Sequence, residues 1–371
     1  QKGVANIFAS YKSNNNRPPE LIVQDELHLI SGALGTLIGI YETAIDFLCS
    51  RKGVIPKIIA STATARRASE QCKTLFNRTM KQFPPSGINI EDSFFAREKP
   101  LSTKPGRLYV GLMPSGKTQT TAAVRLTSKL LYAANSINSE DDVKDKYWTI
   151  VEYFNSIREL GGFISLANDD IPQHANSLKQ RYGGTMRHIS NLEELTSRKR
   201  AEEIPRILEQ LLLEYPDKKT IDILAATNMI SVGVDIDRLG LMVIRGQPKL
   251  TAEYIQVSSR IGRKYPGLVF SLYNSARTRD RAHYERFRTY HESFYRNVEP
   301  SSVTPFSTPS RRRALNAVLI TMFRHGLNSE YGDETGASQF DPLLEDIDKL
   351  KKYIINRVDS VDHEETIGTM E

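Results

Sequence analysis

The chain has 371 residues, 39% of them apolar and 25% charged, with a net charge of +6. That is the make-up of an ordinary soluble protein, long enough for two domains of about 150 residues and an appendage. No run of 18 apolar residues points to a membrane span, so a cytoplasmic protein is expected; two cysteines without a CxxC pair, Cys49 and Cys72, exclude a disulfide framework and a cysteine-rich zinc module.

The opening stretch to about Pro19 is polar and asparagine-rich, the composition of a loop. The chain starts on Gln1 with no secretory signal, which we read as a piece lacking its amino-terminal part. Residues 21–28 form the first apolar strand, and at its carboxyl end it delivers Asp25, Glu26 and His28. In open α/β sheets, ligands sit where strands run out. There, an aspartate can hold a Mg²⁺ that bridges nucleotide phosphates, and a neighbouring glutamate can orient or deprotonate water. Taken alone, the same pattern also describes a turn with solvated carboxylates.

Leu34, Leu37, Ile38, Tyr41, Ile45 and Leu48 recur at helical spacing up to Gly53. A second short strand at 57–60 runs into Ser61, Thr62, Ala63 and Thr64, and a helix over 66–81 is closed by Pro84 and Pro85. Asp25-Glu26-Leu27-His28 and Thr62-Ala63-Thr64 resemble motifs II and III of the superfamily 2 DExH helicases.

Residues 107–113 form a strand that enters a Gly/Pro turn and a helix, and Gly111 to Thr118 fits GxxxxGK[ST] in full. Two readings stand: a phosphate-cradling loop whose β-loop-α unit fills a slot beside the Asp25 strand, or a turn that caps a helix between domains. The order favours the second, because in the helicases the phosphate loop precedes motif II. Residues 148–154 are an apolar strand followed by Asn155, Ser156, Ile157 and Arg158, similar to motif IV. Charged helices are expected over 193–215, with Leu195, Ile204, Ile207, Leu208 and Leu211 inward. The strand at 221–226 leads into Thr227, Gly233 and Asp235, which resemble motif V. After a strand at 241–245, Thr251 is the expected N-cap of a helix that carries Gln256, Arg260 and Arg263. This resembles motif VI, with Ser259 where the family has glycine; the two arginines, three apart, would share one helix face.

Residues 260–313 hold 12 Lys and Arg against 4 Asp and Glu, so the basic excess is local. A patch of this kind suits phosphate and hence nucleic acid. Over 277–296, arginines alternate with Tyr284, Phe287, Tyr290, Phe294 and Tyr295 on an expected helix, either as a stacking platform for single strands or as a packed amphipathic face. Thr308 and Pro309 open another helix, whose first turn holds Arg311, Arg312 and Arg313. The helix dipole disfavours cations there unless an anion compensates, so a phosphate-backbone contact is expected. A last amphipathic helix uses Leu343, Leu344, Ile347, Leu350 and Ile354.

The resemblance to superfamily 2 helicases covers about residues 21–263. It implies an α/β fold with two RecA-like parallel-sheet domains, the first incomplete, and a mostly helical carboxyl-terminal extension. The expected boundaries are 1–98 (motifs II and III), 99–145 (interdomain), 146–275 (motifs IV, V and VI) and 276–371 (basic extension). It further implies ATP and Mg²⁺ as cofactors, bound between the domains, with Asp25 on the metal through water, Glu26 activating the hydrolytic water, Arg263 as arginine finger and Arg260 beside it. Gly233, Asp235 and Gln256 would line that cleft, His28 with Thr62, Ala63 and Thr64 would couple hydrolysis to movement, and Ser156, Arg158 and Thr227 would touch the nucleic-acid backbone. The phosphate loop and adenine-reading residues would lie in the absent half of the first domain, so the 371 residues alone should be a poor ATPase. Residues 256–263, 273–280 and 308–313 further resemble the DrmA helicase subunits of the DISARM phage-defence system, which implies single-stranded or tailed DNA as substrate and a partner subunit, DrmB. The four-cysteine zinc module of the related MrfA-type repair helicases is lacking. Two other readings are a DNA-binding scaffold that uses ATP as a switch and an RNA helicase.

Overall fold

The computed structural model describes residues 18–50, 53–62, 67–85, 88, 95, 99–104, 106–231, 235–300, 302–327, 343 and 345–370. The stretch before residue 18, Ala63, Thr64, Gly233 and Leu344 fall outside them. The chain divides into two compact units, residues 1–85 with 300–371, and residues 86–299.

The first unit begins with β1 (Leu21–Gln24), α1 (Gly32–Ser50), β2 (Lys57–Ala60) and α2 (Ala68–Phe76). The two strands pair in parallel, with Val23 opposite Ile59. Ile58 packs toward Leu27, Ile30, Cys72, Leu75 and Phe76, whereas Leu21, Val23 and Ile59 stay exposed. Both cysteines are buried and free. α2 stops earlier than expected because Asn77 adopts a left-handed conformation and donates its N–H to Lys73 O. Among the described residues, α1 is the one helix long and apolar enough to cross a membrane by length and composition, although Glu42 and Asp46 interrupt its apolar run.

The second unit holds β3 (Arg107–Leu112), α3 (Gln119–Ser136), α4 (Asp141–Lys146), β4 (Ile150–Phe154), α5 (Ile157–Asn168), α6 (Asp170–Tyr182), β5 (Leu192–Leu195), α7 (Glu203–Leu211), β6 (Ile223–Ala226), β7 (Leu241–Arg245), α8 (Thr251–Ser258), β8 (Gly267–Leu272), α9 (Thr278–Glu285) and α10 (Phe287–Glu292). Six strands in the order β3-β8-β7-β4-β6-β5 pair in parallel throughout. Such a sheet buries both faces, so its central strands read as unbroken apolar runs. Along β4, Val151 and Tyr153 face α7 and α8, whereas Ile150 and Phe154 face α3, α5 and α6.

Three expectations are corrected here. Residues 99–145 are not an interdomain segment: β3 adds to the free edge of β8, and α3 packs on α6. Residues 193–215 are not all helical, because Leu195 is in β5 and pairs with Ala226. Residues 277–296 are not one helix but α9 and α10, broken at Arg286.

From residue 300 the chain rejoins the first unit as α11 (Thr308–Gly326), α12 (Glu345–Val361) and α13 (Thr366–Met370). Thr308 and Pro309 open α11 as expected, with Ser307 as its cap residue. Ile40 and Ala44 of α1 meet Phe306, Val318 and Met322, and Ile347, Leu350 and Ile354 complete this core. These residues form part of the first unit's core and are no appendage, because the apolar stripe of α1 is wider than α2 alone covers.

One charged hub binds these helices. Asp46 on α1 accepts hydrogen bonds from Arg78 at 2.5 Å, Tyr353 Oη at 2.8 Å and Arg357 at 2.8 Å, while Arg357 also donates to Leu75 O at 2.9 Å. The Arg357 side chain is 3% exposed, so its charge has little water to fall back on. Removing one partner of such a pair leaves an uncompensated buried charge. Asp46→Ala is expected to destabilise the first unit by about 3 kcal/mol, measured by urea unfolding.

Glu42, one turn before Asp46, is pushed up to about 7 by burial, with Asp46 adding to the rise and Arg357 opposing it. Its native carboxyl holds a proton that the unfolded chain has released, so its contribution to stability is complete below about pH 4.5 and is lost as pH rises through 7. Glu42→Gln should therefore raise stability at pH 8 by up to about 3 kcal/mol and leave it nearly unchanged at pH 4.5. Denaturation midpoints of both proteins across that range check the sign.

Candidate functional site

The carboxyl ends of β1 and β2 hold the candidate acidic residues. Asp25 Oδ1 accepts a hydrogen bond from the Glu26 N–H at 2.9 Å and another from the Ser61 hydroxyl. The Ser61 bond, then the Glu26 N–H, hold the Asp25 carboxyl below the usual carboxylate range, and His28 lowers it further. The group is ionised at neutral pH. Both contacts use Oδ1, which leaves Oδ2 for a ligand. Among the described residues no cluster of three or more His, Cys, Asp or Glu forms a metal cage. A single ionised carboxylate nevertheless fits Mg²⁺, which keeps several waters and completes its shell with phosphates.

Glu26 has φ +52°, in the left-handed region where non-glycine residues are uncommon. That kink turns the chain from β1 into the short 3₁₀ turn of Leu27–Leu29, whose Leu27 is buried. His28 Nδ1 then lies 3.4 Å from Glu26 Oε2 and 3.3 Å from Thr62 Oγ1. The structure thus joins the expected motif II and motif III residues through one imidazole nitrogen. Ser61 carries Asp25 as closely as any residue does, and sequence reading did not single it out; its place as first residue past an apolar strand was the available signal.

In the second unit, the expected residues fall at opposite edges of the sheet. Ser156 and Arg158 leave the carboxyl end of β4, and Thr227 that of its neighbour β6. The Ser156 hydroxyl caps α5 by accepting the Glu159 N–H at 3.3 Å, and Arg158 is exposed in the first turn. The arginine pair lies at the amino end, beside the first residues of β3 and β8. Arg260 donates to Ser231 O, and Arg263 forms an ion pair with Asp235. Gln256 is buried within α8.

The two arginines do not share a helix face, as their spacing implied. α8 ends at Ser258, Ile261 drops into the core, and Gly262 at φ +67° donates its N–H to Leu239 O at 2.9 Å. A Cβ at Gly262 would stand 2.7 Å from the Gly267 backbone, so only glycine allows this return into β8. Nor is Thr251 the N-cap of α8. It is the first helical residue, and Glu299 accepts its N–H at 2.8 Å and its hydroxyl at 3.1 Å, placing a carboxylate where the helix dipole favours one.

The Gly111–Thr118 segment has the strand-loop-helix form, but β3 pairs with β8, which overturns the option of a slot beside β1. Gly111 lies within the strand, where a Cβ would meet the Phe287 ring at 2.8 Å, so packing explains this glycine. Thr118 caps α3 by accepting the Thr121 N–H at 3.1 Å, and Lys117 is exposed.

In the basic region, Phe287, Tyr290, His291 and Phe294 pack around Tyr109 and Tyr254, whereas Tyr284 and Tyr295 remain exposed. For Arg311 the compensating anion is the protein's own: it forms an ion pair with Glu365 and donates to Phe306 O. The expected phosphate contact is thus corrected at Arg311, while Arg312 and Arg313 are exposed.

Residues 186–265, from before β5 to the arginine turn, match the family described as helicase conserved C-terminal domain. Over 363 residues, 95% of its length, the chain is 44% identical to DISARM protein DrmA of Bacillus paralicheniformis, of which it spans 32%. It therefore corresponds to about a third of that relative. Its fold is similar to that of the DUF1998 helicase MrfA bound to DNA, with a TM-score of 0.56 at 19% identity over 82% of this chain and 37% of that one. It is also similar to that of Mycobacterium smegmatis helicase Lhr bound to ssDNA and AMP-PNP, with a TM-score of 0.50 at 14% identity over 91% of this chain and 36% of that one. The chain is thus similar to DISARM protein DrmA over nearly all of its own length, matches the helicase conserved C-terminal domain over residues 186–265, and has a parallel-sheet fold similar to the RecA-like domains of solved helicases.

Proposed function

We propose that this chain is the motor portion of a cytoplasmic ATP-dependent DNA helicase or translocase of a DISARM-type phage-defence system, working with a partner subunit of the DrmB kind. The observation that carries the proposal is the ionised Asp25 beside Glu26 at the end of β1, fixed by Ser61 from the neighbouring strand. Such a pair serves triphosphate hydrolysis, and a binding scaffold has no use for it. Support for DNA and for a nucleotide comes from relatives in fold bound to DNA and to ssDNA with AMP-PNP.

In this reading Asp25 would hold a Mg²⁺ ion, which would supply positive charge to the triphosphate. Glu26 takes the proton of the attacking water, its carboxylate aimed by the left-handed backbone. Arg263, now paired with Asp235, and Arg260, now bonded to Ser231 O, would exchange these partners for the charge that develops on the transferred phosphoryl group. His28 bridges Glu26 and Thr62, so a change in the charge on Glu26 reaches the second loop directly. Ser156, Arg158 and Thr227, with Arg312 and Arg313, contact the DNA backbone.

The test is DNA-stimulated ATP hydrolysis by the complete polypeptide. Glu26→Gln should lower turnover by about 10²- to 10⁴-fold and leave ATP binding intact, while Lys117→Ala should match wild type. Wild-type turnover in Glu26→Gln rejects the carboxylate assignment, loss of ATP binding in Lys117→Ala moves the phosphates to that loop, and a wild type silent with every nucleic acid rejects the motor. Stimulation by RNA in place of DNA at matched salt would reassign the substrate.

A further inference from the structure

Arg107 lies outside every motif named above, yet it touches the turn that carries both arginines. It is the first residue of β3, where the strand is held in full register with β8 and Arg107 stands opposite Gly267. Its Nε donates to Ile261 O at 2.5 Å and its Nη2 to Ser259 O at 3.0 Å. These two carbonyls flank Arg260 on either side.

The last carbonyls of a helix have no partner within it and must find one elsewhere. At the end of α8, Ile255 O takes the Ser259 N–H, Gln256 O the Ser259 hydroxyl, Val257 O the Arg260 N–H and Ser258 O the Ile261 N–H. Ser259 O and Ile261 O come next, beyond the reach of the helix, and the Arg107 guanidinium takes both. Its planar fork suits two acceptors at a fixed separation, and its charge is favourable at a helix carboxyl terminus. The Arg107 stem also lies against Gly262, within 3.3 Å of where a Cβ would be. Ile261 in the core and the Gly262 bond to Leu239 O anchor the turn from below. From the β3 side Tyr109 also reaches the end of α8, donating its hydroxyl to Ser258 Oγ at 3.2 Å, but it is Arg107 that holds the carbonyls on either side of Arg260.

We infer that Arg107 is a positioning residue for Arg260 and Arg263: by clamping Ser259 O and Ile261 O it fixes the backbone from which both arginines reach the transferring phosphoryl group. The inference rests on the proposed hydrolytic function. It differs from a role in folding, because the clamp acts on turnover only through those two side chains.

The experiment compares wild type, Arg107→Ala, Arg107→Lys, Arg263→Ala and Arg107→Ala/Arg263→Ala in the complete polypeptide. It reads kcat and KM of DNA-stimulated ATP hydrolysis, affinity for a non-hydrolysable ATP analogue, and Tm. Arg107→Ala should lower kcat by about 10²-fold, the scale of a catalytic group displaced by roughly 1 Å, with KM and analogue affinity within about threefold. Arg107→Lys, a point donor able to hold one carbonyl, should fall between. The double variant should lose clearly less than the product of the two single losses, since the effect of Arg107 is exerted in part through Arg263 and such changes are not additive. The inference is overturned if Arg107→Ala turns over within twofold of wild type while Arg263→Ala is inactive, or if the double variant shows the product of the two losses. Should Arg107→Ala fail to fold, Arg107→Lys decides: reduced kcat at unchanged KM supports the clamp, and wild-type kcat overturns it. An inactive wild type instead overturns the proposed function.

Discussion

Parallel pairing requires every strand of a sheet to start at one edge and finish at the other, with each connection crossing back over a face. In the six-stranded sheet this sorts the chemistry by edge. Segments that leave strands, such as Ser156 with Arg158 and Thr227, collect at the carboxyl edge. Segments that enter strands collect at the amino edge, and the arginine turn ahead of β8 is one of them. Asp280 stiffens the carboxyl edge: its two oxygens accept the N–H groups of Gln247 and Asn274, which follow β7 and β8. Arg277, three residues before it, pairs with Glu159 in the first turn of α5.

Buried charge does much of the remaining positioning. Glu152 lies wholly inside on β4, and Arg245 from the adjacent β7 meets it at 2.7 Å beneath the Phe154 and Phe163 rings. Arg187 is held by Asp222 at 2.8 Å and stacks on Trp148 at 3.6 Å, and burial pulls its guanidinium down to about 10. Each of these would be costly alone; with its partner it fixes one strand or loop against another. The local basic excess is smaller in effect than its count suggests, because Arg260, Arg263, Arg277, Arg279 and Arg311 are occupied by carboxylates or carbonyls of the protein. Arg281, Arg286, Arg288, Arg312 and Arg313 remain for an external anion.

Much of the architecture was legible in sequence because it rests on local regularities. Apolar runs marked β1, β2, β3, β4, β6 and β7, helical spacing marked α1 and α12, and the order of the short motifs pointed to the likeness to helicases. The failures are equally physical. The 193–215 stretch combines a four-residue strand with a helix, and Leu195 belongs to the ladder with β6 although its spacing suits the helix. The arginine spacing in 260–263 suits a helix face, but the helix stops at Ser258 because Ile261 gains more by burial in the core than by staying in register. The assignment of 276–371 to an extension failed because residues 276–299 fold with the second unit, and the core that 300–371 fill belongs to α1, more than 250 residues earlier in the chain.

By itself the sequence determined the α/β class and the strand ends at which carboxylates stand, since strand and helix periodicities and short motifs are properties of neighbours along the chain. Only the tertiary structure decided which groups those residues meet. Ser61 reaches Asp25 across 36 positions, Arg107 reaches Ile261 across 154, and Glu365 reaches Arg311 across 54. Each partner is chosen by strand order and helix packing, and a hydrogen bond between residues so far apart leaves no trace in the spacing of either.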